Sequence, residues 1–348
     1  MSPETMRAHV LLEPGAIELR RVARPEPGPG ELLIRIRTAL TCGTDIKAFV
    51  RGHPKFPMPT LFGHEFSGEI AMVGSGITDW HEGEAIMSTP TGPCGGCFYC
   101  RRQQENLCES IMETMVLGAY AEYVKLPARI VNTNVYRKPA SVPFAVAALM
   151  EPLACVLHGL EGISVRPDDL IVLLGAGAIS LLHLLALQSL GAQRIVVVGR
   201  SLDRAAKARE LGASEILTNG LPAANHRILE LSGGRGADLV IECTGQLEVW
   251  DEAPSFARRG GRVVFFGGCR PGTRVGIDTQ RFHYDELRLS SPFHFTPRAV
   301  RRSYEMIVGG RFRGDALISG TFPLGELEQA LKQHQAGAGI KYAIRPEA

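Results

Sequence analysis

Apolar and polar positions alternate through the first third of the chain. Residues 6–22 (MRAHVLLEPGAIELRRV) read as two strands around a turn at Pro14 and Gly15. PEPGPGE is a loop, and ELLIRIRTAL alternates as a half-buried strand does. EFSGEIAMVGSGI and AYAEYVKLP give two more strands. After about residue 143 the rhythm changes. DLIVLLGAG, RIVVVGR, EILTN, ADLVIECTG and GRVVFFGG are short apolar strands. Between them lie AISLLHLLALQSLGA, LDRAAKARELGA, AANHRILELSG and EVWDEAPSFARRG, which have helical length and period. Strand–helix alternation predicts a parallel sheet with right-handed crossovers. From Arg298 onward two more helices are expected, in PRAVRRSYEMIVGG and PLGELEQALKQHQAG. The pattern thus predicts an α/β protein. A β-rich domain (residues 1–150 and 295–348) carries a doubly wound domain (residues 151–294) as an insertion.

At 348 residues the chain is long enough for two domains with sizeable cores. Its net charge of +2 excludes a strongly basic nucleic-acid binder or an acidic-membrane partner. The start of the chain has no signal-peptide pattern, and neither long apolar stretch reads as a membrane span, so a cytoplasmic protein is expected. Clustered cysteines in that compartment point to metal rather than to disulfides.

Cys94, Cys97, Cys100 and Cys108 lie in PCGGCFYCRRQQENLC (residues 93–108) with spacing C-x2-C-x2-C-x7-C. Four thiolates on one ion make a closed tetrahedral zinc site with no position left for substrate, so this one is expected to be structural. An iron–sulfur cluster is the rival, but its usual bacterial spacing differs after the third cysteine. Cys42, in LTCGTDIK, is followed by His64 and Glu65 in GHE and by Glu151 before Pro152. One thiolate, one imidazole and one or two carboxylates can make a catalytic zinc site with an exchangeable position.

The first strand of the second half runs into Gly175, Ala176, Gly177, Ala178 and Ile179, and then into a helix. A glycine turn between strand and helix is where a pyrophosphate meets the helix N-terminus. Ser180 stands where a third glycine is usual. The next strand ends at Gly199 and Arg200 rather than at the carboxylate that would hold the ribose of NAD. Arg200, with Arg204 four residues on, suits a 2′-phosphate, so NADP is expected over NAD. Asp203 keeps NAD open as the alternative.

With C-G-T-D at 42–45, G-H-E at 63–65, the cysteine lobe, E-P-L at 151–153, G-A-G at 175–177 and E-C-T-G at 242–245, the chain resembles the zinc-dependent medium-chain dehydrogenases. The polyol (sorbitol-type) and threonine dehydrogenase branch is the nearest, and the resemblance covers nearly the whole chain. It implies a GroES-like catalytic domain, a Rossmann domain and an active site in the cleft between them. It implies two zinc ions per subunit and a homo-oligomer, tetramer or dimer. Cys42, His64 and Glu151 would surround the catalytic zinc, with Glu65 a direct or alternating ligand. Thr44 would start a proton relay from the alcohol. Lys47 stands where many relatives carry histidine and is a poor proton shuttle unless its pKa is depressed. Asp45 is expected to be structural.

Thr244, Gly267, Ser291, Pro292 and Phe293 follow strand ends and are expected beside the cofactor. His158 and His183 are expected to be satisfied core histidines, and Cys155, Cys243 and Cys269 small buried residues. The expected activity is hydride transfer between a secondary alcohol or polyol and NADP(H). The alternatives are an NAD-dependent threonine-type dehydrogenase and a non-catalytic NADP-binding sensor.

Overall fold

The computed structural model describes residues 4–53 and 56–347. Contacts divide the chain into two compact units, one of the residues up to Ala154 together with Phe295 onward, the other of Cys155–His294.

The first unit opens with β1 (Thr5–Glu13) and β2 (Ala16–Ala23), paired antiparallel around the Pro14–Gly15 turn, as the alternation predicts. β3 (Leu32–Leu40) leads into α1 (Gly43–Arg51), a helix that the strand reading stops short of. Its N-cap is Cys42, whose Sγ accepts from the Thr44 amide at 3.4 Å. Ser, Thr, Asp or Asn would have advertised such a start; a thiol does not. There follow β4 (Thr60–Leu61), β5 (Phe66–Val73), β6 (Ala85–Ser88), β7 (Tyr123–Leu126), α2 (Ala128–Asn134), β8 (Val135–Arg137), α3 (Phe144–Ala147) and α4 (Met150–Gly159).

The second unit is built on β9 (Leu170–Leu174), α5 (Ala178–Ser189), β10 (Arg194–Val198), α6 (Leu202–Glu210), β11 (Glu215–Leu217), α7 (Leu221–Leu231), β12 (Ala237–Glu242), α8 (Leu247–Glu252), β13 (Ala257–Phe265), α9 (Thr279–Tyr284) and β14 (Arg288–Ser290). Among the described residues the six strands are all parallel, in the order β11-β10-β9-β12-β13-β14. Order therefore reverses between β9 and β12, where doubly wound sheets bind nucleotides. All five residues of β9 are buried, as expected of a parallel strand covered on both faces. The helix expected over EVWDEAPSFARRG ends early. α8 and a short 3₁₀ turn reach only Phe256, and Ala257 already pairs with Ala237 as the start of β13.

The chain then returns to the first unit through α10 (Pro297–Val308), β15 (Ile318–Pro323), α11 (Leu327–Ala336) and β16 (Lys341–Arg345). β16 pairs antiparallel with β3, Ala343 opposite Leu40, which completes a sheet ordered β15-β16-β3-β5-β6-β8 with β7 also paired to β3. Leu32, Ile34, Ile36, Phe66, Leu327, Leu331 and Ile344 belong to one buried apolar core here.

His183 departs from expectation. It is fully buried on α5, and Nδ1 donates to the Ile179 carbonyl at 2.9 Å, but Nε2 has no hydrogen-bond partner. Burial pulls its pKa down to about 4. The unfolded chain therefore takes up this proton more readily than the native one. Stability should be intact above about pH 6.5 and fall as the pH is lowered toward 4, by on the order of 3 kcal/mol. Urea unfolding across that range checks this; His183→Leu should flatten the slope.

Candidate metal centres and dinucleotide site

Two groups of side chains converge as metal donors among the described residues. In the first, the donor atoms of Cys94, Cys97, Cys100 and Cys108 all lie within 4.8 Å of one another. None is in a disulfide, and the Cys94 and Cys100 sulfurs are 3.9 Å apart. Four sulfurs about 2.3 Å from one tetrahedral ion stand about 3.8 Å from each other, so the spacing fits zinc. The thiols are also unequal. Amides of Cys100 and Glu109 bring Cys97 down to about 6, whereas burial and the neighbouring Cys97 push Cys100 up to about 12. Four such groups cannot all ionise side by side without a cation between them. Arg129 ties the lobe down, donating to Ser110 at 3.1 Å and Thr114 at 2.6 Å.

The second group is Cys42, His64 and Glu65, with donor atoms again within 4.8 Å of one another. Cys42 ends the turn after β3, and His64 and Glu65 lead into β5. The pairing of β3 with β5 therefore brings them together. His64 Nδ1 donates to Asp45 at 2.9 Å, which leaves Nε2 as the nitrogen that could take a metal. Burial alone would lower the His64 pKa, but Asp45 and Cys42 raise it well above the imidazole range. Burial and Glu65 push the Cys42 thiol up. Asp45 is fully buried and also accepts from the Tyr120 hydroxyl at 2.6 Å, in keeping with a structural role.

Glu151 is buried in the first turn of α4, but its carboxylate does not join the group of three. Glu65 is fully buried, and its carboxylate is held by Lys341 Nζ at 2.7 and 2.5 Å. Lys341 is 2% exposed and also donates to the Thr41 carbonyl at 3.0 Å. Glu65 and then Cys42 and Glu151 raise its pKa against the effect of burial. Reading the sequence missed Lys341 because it lies about 300 residues from Thr41 and reaches it only through the β16–β3 pairing. Thr44 and Lys47 occupy α1, three residues apart and half-buried.

In the second unit the glycine turn lies between β9 and α5. Gly177 caps the twelve-residue α5 and has no side chain to accept from its first turn, so the amides there, those of Ala178 and Ile179 included, suit an anion. Ser180 is fully buried, consistent with close helix–strand packing. Gly199 is explained by packing. A Cβ there would lie 2.6 Å from the Cβ of Ala176, so glycine lets the two strand-end turns pack rather than opening space.

Arg200 is exposed, with Nη2 3.5 Å from Gln246 Oε1. Ser201 caps α6 by accepting from the Arg204 amide at 3.4 Å. Arg200 thus immediately precedes the helix that carries Arg204. Thr244 packs its methyl against Gly175, but its hydroxyl is bound to the Glu242 carboxylate. Gly267 abuts Gly245 and accepts from Trp250 Nε1 at 2.7 Å. Ser291 donates to the Phe265 carbonyl at 2.9 Å, Pro292 packs against Gly159, and Phe293 is about half exposed. His158 meets Glu161 at 3.2 Å. Cys155, Cys243 and Cys269 are half-buried rather than buried.

One unit with a parallel six-stranded nucleotide fold and one β-rich unit with two cysteine-bearing donor clusters define a zinc-binding oxidoreductase. Residues 28–136 match the alcohol dehydrogenase GroES-like domain and residues 178–308 the zinc-binding dehydrogenase domain. The chain is 28% identical to a sorbitol dehydrogenase of Halalkalibacterium halodurans, over 98% of this chain and 99% of that one. It is 30% identical to an L-threonine 3-dehydrogenase of Chelativorans sp., over 78% and 79%. A zinc-binding dehydrogenase of Sinorhizobium meliloti bound to NADP superposes with a TM-score of 0.88 at 30% identity, over 99% of this chain and all of that one. The chain belongs to the zinc-dependent medium-chain dehydrogenase family, in its polyol and threonine dehydrogenase branch, and is an oxidoreductase acting on CH–OH groups. No described helix is long and apolar enough to cross a membrane.

Removing one member of a buried ion pair strands the other charge. Lys341→Met should therefore cost about 3–5 kcal/mol. Adding Glu65→Gln should recover part of that loss. Urea unfolding of the two variants checks both.

Proposed function

We propose that this protein oxidises a secondary alcohol or polyol with NADP. The observation that carries the coenzyme choice is Arg200 at the end of the second strand of the parallel sheet, where an NAD site would present a carboxylate. A guanidinium pairs with a 2′-phosphate through two parallel charge-assisted bonds. The Sinorhizobium meliloti relative bound to NADP supports the same reading.

In this reading Cys42 and His64 hold a catalytic zinc with Glu65 or Glu151 completing the shell, and the four lobe cysteines hold a structural one. Zinc at Cys42, when bound, would polarise the substrate hydroxyl, and nicotinamide would take the hydride. Thr44 accepts the hydroxyl proton as its own moves on toward solvent. Gly175, Gly177 and the first turn of α5 receive the pyrophosphate. Phe293, exposed beyond β14, offers an apolar face to the nicotinamide. The assembly proposed is a cytoplasmic homo-oligomer.

Absorbance of reduced nicotinamide tests this, with polyols, simple secondary alcohols and L-threonine offered alongside either coenzyme. Turnover with a polyol and NADP is expected; turnover confined to NAD and L-threonine would reject the reading. Arg200→Gln should raise KM for NADP about 10- to 100-fold, the worth of a charge-assisted bond, and leave NAD nearly unaffected. Thr44→Ala should lower kcat by about 10²–10⁴-fold. Cys42→Ala should stay folded and lose turnover, whereas Cys97→Ala should lose stability first, seen as a drop in melting temperature.

A further inference from the structure

Among the described residues Tyr120 is the largest of the fully buried side chains, and nothing in the proposed reaction uses it. Its backbone is fixed on both sides: its amide donates to the Phe62 carbonyl at 2.9 Å, and its carbonyl accepts from the His9 amide at 2.9 Å. Its ring is fixed as well. Phe62 meets it edge-on at 5.5 Å. Gly63, at φ +89°, lies so close beneath it that a Cβ there would sit 2.7 Å from the ring. Only glycine meets both the left-handed backbone and that contact, and the residue it immediately precedes is His64.

The ring aims one hydroxyl at two acceptors, Asp45 Oδ2 at 2.6 Å and the Leu40 carbonyl at 3.0 Å. With one proton to give, the hydroxyl gives it to the nearer acceptor, the Asp45 carboxyl oxygen. Burial and Asp45 push the phenol well above its ordinary pKa, which keeps it a donor. Asp45 Oδ1 is meanwhile held by His64 Nδ1. Tyr120, Asp45 and His64 thus form one buried chain of hydrogen bonds, and the far end of the imidazole faces Cys42 and Glu65.

We propose that Tyr120 is a positioning residue for the metal at Cys42 and His64, acting through Asp45 to fix the plane and tautomer of the His64 ring. This rests on the metal-site reading above. The residues that orient a ligating histidine govern metal affinity about 10- to 100-fold. Tyr120→Phe keeps the ring against Gly63 and Phe62 and removes only the hydroxyl, so packing is retained.

The test is zinc competition with a chromophoric chelator on the full-length protein. Wild type should release two zinc ions in separable steps. Tyr120→Phe should weaken the step lost in Cys42→Ala about 10-fold or more and leave the step lost in Cys97→Ala unchanged. Asp45→Asn and the double variant complete the cycle: if Tyr120 acts through Asp45, adding Tyr120→Phe to Asp45→Asn should cost little more. Unchanged affinity in Tyr120→Phe would overturn the role, as would equal weakening of both steps, the mark of general destabilisation, or full additivity with Asp45→Asn. Wild type that binds zinc only in the cysteine lobe would reject the metal-site reading itself, and this role with it.

Discussion

The ion pair between Lys341 and Glu65 is the contact on which the arrangement of the Cys42 donor group rests. Both side chains are withdrawn from water, which costs several kcal/mol per charge before any attraction is counted. That cost is offset only because the pair is close and Lys341 finds a further acceptor in Thr41. The pair exists because β16 lies against β3, so the last strand of the chain supplies the cation for a carboxylate beside Cys42. Glu65 is thereby held by a protein charge as well as offered to a metal. Glu151, which also acts on Lys341 electrostatically, is the other carboxylate within that cation's field.

The two donor clusters differ in the way their proposed roles require. The lobe presents four sulfurs at tetrahedral spacing, on a loop pinned by Arg129, and such a shell is closed. The Cys42 group offers three unlike donors, and its support runs inward through Asp45, Tyr120 and Lys341. A closed shell stabilises its loop; a mixed and supported one leaves a coordination position for substrate.

Most of the nucleotide fold was legible in the sequence because its signals are local. A buried parallel strand, a glycine turn and an amphipathic helix each fit within about fifteen residues. The donor residues were legible too, through cysteine spacing and the paired His64 and Glu65. Three things were not. α1 starts at a thiol cap, which carries no cap signature. The reason for Gly199 is a contact with Ala176, which neither residue announces. Lys341 and Tyr120 reach the site through pairings and packing between distant segments, and no periodicity reports which distant residues meet.

The most direct test of two metal centres with different shells is anomalous diffraction at the zinc edge from crystals of the purified protein. The account predicts two zinc peaks per chain, one enclosed by Cys94, Cys97, Cys100 and Cys108 and one against Cys42 and His64. A single peak in the cysteine lobe, in protein that still turns over an alcohol, would contradict it.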